Sequence, residues 1–190
     1  MNLSPQSRRL ILLVLAALML VTRALHFGPV PDASWAVFFL AGLYLPGAAA
    51  FGLLFGLAVA IDYLATQQFG VSSYCISAAY PFLLPAYASL WAGGAWLRRS
   101  GRGLRPRDAG WAAAALLLTA SLCFALSDGS FYWLGSHPAA PNLSGWAAGF
   151  AQWYPRFLWV PFVYVSLAAV VQALLAGFGR LRPAPALTAR

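Results

Sequence analysis

Residues 33–61 read ASWAVFFLAGLYLPGAAAFGLLFGLAVAI. These 29 residues carry no charge, and they are interrupted by Leu45-Pro46-Gly47. A membrane-spanning helix needs about 20 apolar residues, so the stretch is too long for one such helix. Because Pro followed by Gly marks a turn, we divide it into two helices at 33–45 and 47–67.

The composition of the whole chain indicates an integral membrane protein. Of its 190 residues 62% are hydrophobic and 8% charged, whereas soluble domains carry about 25% charged residues. The aromatic content of 15% also excludes a disordered chain. There is no Lys and no Glu, which excludes lysine Schiff-base chemistry and the glutamate-based zinc protease motif. The net charge of +8 fits cytoplasmic arginines better than nucleic-acid binding.

Apolar runs predict a single all-α transmembrane domain over residues 1–190. We expect six helices, at 8–26, 33–45, 47–67, 74–97, 111–126 and 157–178. Arg23 disfavours signal-peptide cleavage after the first run, and Pro81 with Pro85 should kink the fourth helix. Small residues at four-residue spacing on the third helix predict close packing inside the bundle, with dimerisation as the alternative: Ala48, Gly52, Gly56 and Ala60.

The distribution of arginine predicts the topology. Ten of the twelve arginines form three groups, which are Arg8 and Arg9, then Arg98, Arg99, Arg102, Arg105 and Arg107, and finally Arg180, Arg182 and Arg190. The positive-inside rule assigns all three groups to the cytoplasm, which requires an even number of spans between them. We therefore expect six transmembrane helices with both termini cytoplasmic. Arg23 and Arg156 fall on the outer side.

Three connections on the outer side, at 26–32, 67–73 and 127–156, hold or adjoin most of the residues that could bind a ligand or a metal. They contain His26 and His137, lie next to Cys75, and hold many aromatic residues, Tyr132 among them. We therefore expect a ligand site on the outer side, with 127–156 as its lid. The aromatic residues could line a pocket for a large flat ligand or form an interfacial belt.

Cys75 and His26 are the candidate metal ligands. Cys75 enters the fourth helix from a polar loop, and a helix N-terminus lowers the pKa of a thiol. The alternative is a small buried residue, which suits Cys123 better. His26 could ligate a metal or bond a loop carbonyl at the interface. These ligands are too few for zinc but suit the axial positions of a metal held in a macrocycle.

Charged residues near the outer helix ends are a second set of candidates. They are Arg23, Asp32, Asp62 and Asp128. Charges inside a membrane point to function by default, but snorkelling and helix capping explain charges at helix ends.

The chain resembles the S-components of energy-coupling-factor vitamin transporters, and more narrowly the BtuM family of small bacterial cobalamin transporters. The likeness rests on the six-helix bundle, on His26, on Asp32-Ala33-Ser34-Trp35, and on Ser72-Ser73-Tyr74-Cys75. It implies cobalamin uptake across the bacterial inner membrane. It also implies that the Cys75 thiolate ligates cobalt and helps to expel cyanide from cyanocobalamin, with His26 near the metal. Ser73, Tyr74, Asp32, Trp35 and Tyr132 are the further candidate corrinoid contacts.

One family feature is missing. Many S-components carry an Ala-x-x-x-Ala pattern on helix 1 for docking on the coupling subunit, but here Ala16 is followed by Leu20, and Ala17 by Val21. This argues against docking on a coupling module and leaves a periplasmic binding protein as a candidate partner, beside the corrinoid and the bilayer. The alternatives are an S-component for another vitamin, a membrane scaffold of the MreD type, and haem handling.

Overall fold

The computed structural model describes residues 3–24, 31–68, 77–135 and 140–181. Within these ranges there is no β-strand, so the expectation of an all-helical protein is confirmed. Short 3-10 turns, Tyr80–Phe82 and Pro106–Asp108, precede the fourth and fifth helices. The α-helices are α1 Pro5–Ala24, α2 Ser34–Tyr44, α3 Ala48–Gln68, α4 Leu83–Arg99, α5 Ala109–Leu134 and α6 Leu143–Leu181.

Within the described ranges, four helical segments are long and apolar enough to cross a membrane, which makes this a multi-pass membrane protein. They are Pro5–Arg23, Ala48–Gln67, Pro106–Leu134 and Leu143–Gly177. The other two helices are shorter. The 11 residues of α2 rise about 17 Å, little more than half of a hydrocarbon layer of about 30 Å.

The short helix α2 forms the centre of the bundle. Nine of its residues are buried, and it packs most closely on α4. A Cβ atom on Gly42 would overlap the carbonyl oxygen of Trp91, and one on Gly94 would overlap that of Phe39. Glycine at these two positions therefore allows the two backbones to touch. The turn after α2 confirms the division at Pro46-Gly47, where Gly47 takes a positive φ of 88°.

Contacts at the helix termini define two opposite ends of the bundle. At one end α2 finishes and α3 begins, and the Arg98 guanidinium donates to the carbonyl oxygens of Gly42 and Leu45. We call this the Arg98 end. At the other end α1 finishes and α2 begins, beside the side chain of Arg23; we call this the Arg23 end. The long helix α6 runs from the Arg23 end, where the Tyr164 hydroxyl donates to the Pro31 carbonyl, toward the Arg98 end.

The small-residue stripe of α3 does not pack inside the bundle, so that prediction is wrong. Its members are all exposed: Ala48, Gly52, Gly56 and Ala60. The buried face is the adjacent one, which includes Ala50, Leu54 and Ala58. The buried residues of that face also recur at every fourth position. Their larger side chains make more van der Waals contacts with the core.

The fourth helix begins later than expected, and its prolines do not kink it. Residues 77–79 form a turn, Pro81 lies in the 3-10 turn, and Pro85 is the third residue of α4. Backbone N–H groups in the first turn of a helix have no partner within it, so proline is tolerated there. The expected kink is therefore absent from these described residues.

The expected outer loop at 127–156 is mostly helical, which corrects its assignment as a lid loop. Helix α5 continues to Leu134 and α6 already begins at Leu143. Helix α6 has 39 residues and passes through Pro155 and Pro161 without ending. Its length of about 58 Å far exceeds the hydrocarbon layer. Proline is tolerated in membrane helices, since neighbouring groups can bond the freed carbonyls.

Candidate functional site

The side chain of Arg23 lies inside the protein at the end of α1. It is 6% exposed, and it forms a two-pronged ion pair with Asp62 of α3. The Nε atom donates to Asp62 Oδ1 at 2.7 Å, and Nη2 donates to Oδ2 at 2.6 Å. Parallel charge-assisted hydrogen bonds of this kind are among the strongest in proteins. They join α1 to α3.

The Nη1 atom of Arg23 points to the start of α2. It donates to Asp32 Oδ2 at 3.0 Å and to the hydroxyl oxygens of Ser34 and Tyr87, each at 3.1 Å. The other oxygen of Asp32 accepts from the backbone N–H and the hydroxyl of Ser34. Asp32 therefore both compensates the Arg23 charge and bonds the first free N–H group of α2.

The phenol of Tyr80 completes the arrangement from the turn before α4. Its hydroxyl donates to Asp62 Oδ2 at 2.9 Å. Burial, and then the Asp62 carboxylate, raise the pKa of Tyr80 well above its usual value of 10.0, so the group keeps its proton and remains a donor. We call the set of Arg23, Asp32, Ser34, Asp62, Tyr80 and Tyr87 the Arg23 cluster.

The Arg23 cluster corrects the interpretation of these charges as snorkelling groups. A snorkelling arginine carries its guanidinium to water, whereas that of Arg23 is bonded to groups on α2, α3 and α4. Capping is correct for Asp32 only in part, because this carboxylate also pairs with Arg23. One guanidinium faces two carboxylates here, so Arg23, Asp32 and Asp62 together carry one net negative charge.

A cavity of about 230 Å³ adjoins the Arg23 cluster, between the start of α2 and α6. Asp32 belongs to both features. The indole of Trp35 lies on the cavity wall with its ring centre 5.8 Å from that of Phe157. The Arg156 guanidinium lies 5.6 Å from the ring centre of Trp153. The lining consists of Pro31, Asp32, Trp35, Trp153, Arg156, Phe157, Val160 and Pro161.

The structure brings two of the predicted site residues to this cavity and leaves one elsewhere. Asp32 and Trp35 line it. Tyr132 does not line the cavity. Its hydroxyl donates to the carbonyl of Asn142 and accepts from the N–H group of the same residue, and these bonds join α5 to the residue before α6. Four further candidates, as well as His137, lie outside the described residues: His26, Ser73, Tyr74 and Cys75.

Cys123 is a small buried residue, as its sequence context suggested. It is a free thiol of α5, and its side chain is fully buried. Among the residues that the structure describes, no three His, Cys, Asp or Glu side chains come close enough to hold a metal ion.

Sequence reasoning missed Arg156 as a cavity residue, whereas Trp153 belongs to the outer aromatic residues for which a pocket was one of the two expectations. The available signal was the charge distribution, since Arg23 and Arg156 are the two arginines outside the three groups that the positive-inside rule assigns to the cytoplasm. One lies in the Arg23 cluster and the other lines the adjoining cavity.

No known protein family matches this chain. A comparison with curated proteins also finds no match.

Proposed function

We propose that this protein takes up cobalamin across the bacterial inner membrane and captures the corrinoid at the Arg23 end. The Cys75 thiolate would ligate cobalt, with His26 near the opposite face of the corrin ring. The observation that carries the proposal is the cavity that adjoins the Arg23 cluster, since Asp32 and Trp35 line it. Both residues belong to the stretch on which the resemblance to BtuM rests.

The Arg23 cluster supports the proposal through chain connectivity. The ion pair between Arg23 and Asp32 joins residues on either side of segment 25–30, which contains His26. The hydrogen bond between Tyr80 and Asp62 joins residues on either side of segment 69–76, which contains Cys75. The described residues that flank the two segments therefore meet in one cluster, which is what a metal site shared by both segments would require.

The chemistry of the cavity suits one edge of a corrinoid. The indole of Trp35 and the phenyl ring of Phe157 offer apolar faces to a flat ring, and Arg156 offers a cation to a phosphodiester. Ligand pockets usually measure about 300–1,000 Å³, so a corrinoid needs more room than 230 Å³. In our proposal the part of α6 from Leu143 to Tyr164 moves away from α2 to admit it, which breaks the bond between Tyr164 and Pro31.

The same proposal includes the orientation of the helices in the membrane and the removal of cyanide from cobalt. Six helices cross or enter the bilayer, the Arg98 end faces the cytoplasm with both termini, and the fold is that of an S-component. The Cys75 thiolate would bind cobalt(III) in place of the lower base and would help to expel cyanide from cyanocobalamin as the cyanide ion, and no electron is transferred in these ligand exchanges.

Growth rescue tests the transport proposal. A bacterial strain that needs imported cobalamin and lacks its own importer receives the chain, the Cys75→Ala variant or the Cys123→Ala variant. We expect growth with the parent chain and with Cys123→Ala, because Cys123 is buried within α5 and away from the cavity lining. Absence of growth with the parent chain would refute cobalamin uptake.

Absorption spectra of the purified proteins test the cobalt ligand separately. A thiolate on cobalt shifts the corrin bands, so cyanocobalamin should change its spectrum with the parent and Cys123→Ala proteins but not with Cys75→Ala. Equal spectra for all three would remove Cys75 as the ligand and leave transport open. Binding of a different vitamin would identify another S-component, whereas a cell-shape defect on deletion with no bound vitamin would identify a scaffold.

A further inference from the structure

A long groove runs along the outside of the bundle between α5 and α6, apart from the Arg23 cluster and its cavity. Its volume is about 400 Å³. On one side it extends from Leu104 to Leu116, and on the other from Phe162 to Ala173. Five of its 13 lining residues are alanines, namely Ala109, Ala112, Ala113, Ala169 and Ala173.

The dimensions of the groove decide what can fill it. On its α6 side the groove extends from Phe162 to Ala173, a rise of about 17 Å. A volume of about 400 Å³ over this length gives a mean cross-section of about 24 Å², so the groove is about 5.5 Å wide on average. A helix with its side chains is about 10–12 Å wide, so it could lie over the groove but not fill it. A single hydrocarbon chain fits, since non-bonded carbon atoms approach to about 4 Å.

Aromatic side chains mark the depth of one end of the groove in the bilayer. Trp96 and Trp111 are both exposed, and their ring centres lie 6.1 Å apart. The guanidinium of Arg102 lies 4.5 Å from the ring centre of Trp111. Exposed tryptophan beside arginine is typical of the membrane–water interface. The rest of the groove then runs between two membrane-crossing helices, at the depth of the lipid chains.

Arg105 places a positive charge at this end of the groove. Its side chain lines the groove and is exposed, and within the described part of the chain it forms no ion pair. Asp108 in the same turn accepts from the N–H group of Gly103 and lies 3.9 Å from Arg107. The planar fork of an arginine without a carboxylate partner is suited to phosphate oxygens.

We propose that this groove binds one anionic phospholipid, with its phosphate at Arg105 and one acyl chain along the alanines of α5 and α6. The width of the groove fits an acyl chain, whereas a helix of a second copy would only lie over it, and the charge at the mouth favours an anionic over a zwitterionic headgroup. This site is independent of the cobalamin proposal, because its phosphate-binding end lies at the Arg98 end and the groove shares no lining residue with the cavity.

Native mass spectrometry of the purified chain tests the headgroup part. The protein is mixed with phosphatidylglycerol or phosphatidylcholine, and bound lipids are counted. We expect one phosphatidylglycerol, preferred about fivefold, since one arginine at a membrane surface contributes about that factor. Arg105→Gln should abolish the preference. Arg99→Gln is the matched control, because Arg99 is exposed at the same end and does not line the groove.

A second pair of variants tests the acyl-chain part. Ala113 lines the groove, whereas Ala114 is equally exposed but lies outside it. We expect Ala113→Leu to reduce retention of both lipids at least fivefold and Ala114→Leu to leave it unchanged.

Three results would overturn the proposal. Equal losses with Arg99→Gln and Arg105→Gln would indicate diffuse attraction to the arginines. Unchanged retention with Ala113→Leu would show that the acyl chain lies elsewhere. A dimer mass without lipid that disappears with Ala113→Leu would assign the groove to a second copy of the chain.

Discussion

Replacing Asp62 by Asn should expose how strongly the Arg23 cluster stabilises the bundle. The carboxylate of Asp62 accepts two hydrogen bonds from Arg23 and one from Tyr80. Asn has nearly the same shape but carries no charge, and its amide nitrogen cannot accept from a guanidinium. The substitution therefore removes one of the two hydrogen bonds from Arg23 and weakens the other, while the guanidinium stays buried.

The structure sets the size of the effect. A hydrogen bond to a charged group contributes about 1.5–3 kcal/mol, and breaking a buried ion pair costs about 3–5 kcal/mol. Arg23 is only 6% exposed, so water cannot replace the lost carboxylate, but Asp32 keeps its own contact at 3.0 Å. We therefore expect Asp62→Asn to lower the free energy of unfolding by about 3 kcal/mol.

Asp32→Asn is the matched comparison. Asp32 is 29% exposed and makes one contact with the guanidinium, whereas Asp62 is 19% exposed and makes two hydrogen bonds with it. Asn can also keep the bond from the backbone N–H of Ser34. The expected cost is about 1 kcal/mol, clearly smaller than for Asp62→Asn.

The assay is unfolding of the purified protein in mixed micelles, titrated with a denaturing detergent and followed by helical circular dichroism. Combining Asp62→Asn with Arg23→Met should cost at least about 2 kcal/mol less than the sum of the two single variants, because their partners are then removed together. If Asp62→Asn lay within about 0.5 kcal/mol of the parent, or if the two variants were additive, the ion pair would not stabilise the fold.

Two further substitutions test the close packing of α2 on α4 and the hydroxyl group of Tyr80. Gly94→Ala places a methyl group against the carbonyl of Phe39, so it should destabilise the protein by about 3 kcal/mol or prevent folding, whereas Gly52→Ala on the exposed face should stabilise it slightly in the same titration. Tyr80→Phe should cost about 1 kcal/mol at neutral pH. Because the pKa of Tyr80 is raised in the folded state, that difference should persist up to pH 10.0 and shrink above it; a difference that already shrinks below that pH would contradict a buried donor to Asp62.

Local signals in the sequence were sufficient for some of the fold. The turn at Pro46-Gly47 depends on neighbouring residues alone, so the boundary between α2 and α3 follows from the sequence. The start of α6 does not, because Pro155 and the polar residues around it resemble a loop, yet the helix extends back to Leu143. The first part of α6 packs on α5, where the rings of Phe150 and Tyr154 lie against Phe124, and this contact between distant residues overrides the local signals.

Packing partners could not be predicted in the same way. Helix α3 has two neighbouring faces with a four-residue repeat, and spacing does not decide between them. The glycines that do bring helices together, Gly42 and Gly94, lie on α2 and α4 and belong to no repeat. Arg23 and Asp62 are 39 residues apart, so their pairing depends on how α1 and α3 pack.

The two arginines at the Arg23 end differ in how their charges are compensated, and this difference separates structure from function. Arg23 is buried with two carboxylates, so its charge is used within the protein. Arg156 is exposed on the cavity wall, and its described partner is the ring of Trp153, which attracts a cation without neutralising it. In the proposed topology Arg156 lies on the outer side of the membrane, where the positive-inside rule disfavours an arginine. Its position on the cavity wall therefore supports a role in holding a ligand that carries a negative group, such as the phosphodiester of a corrinoid.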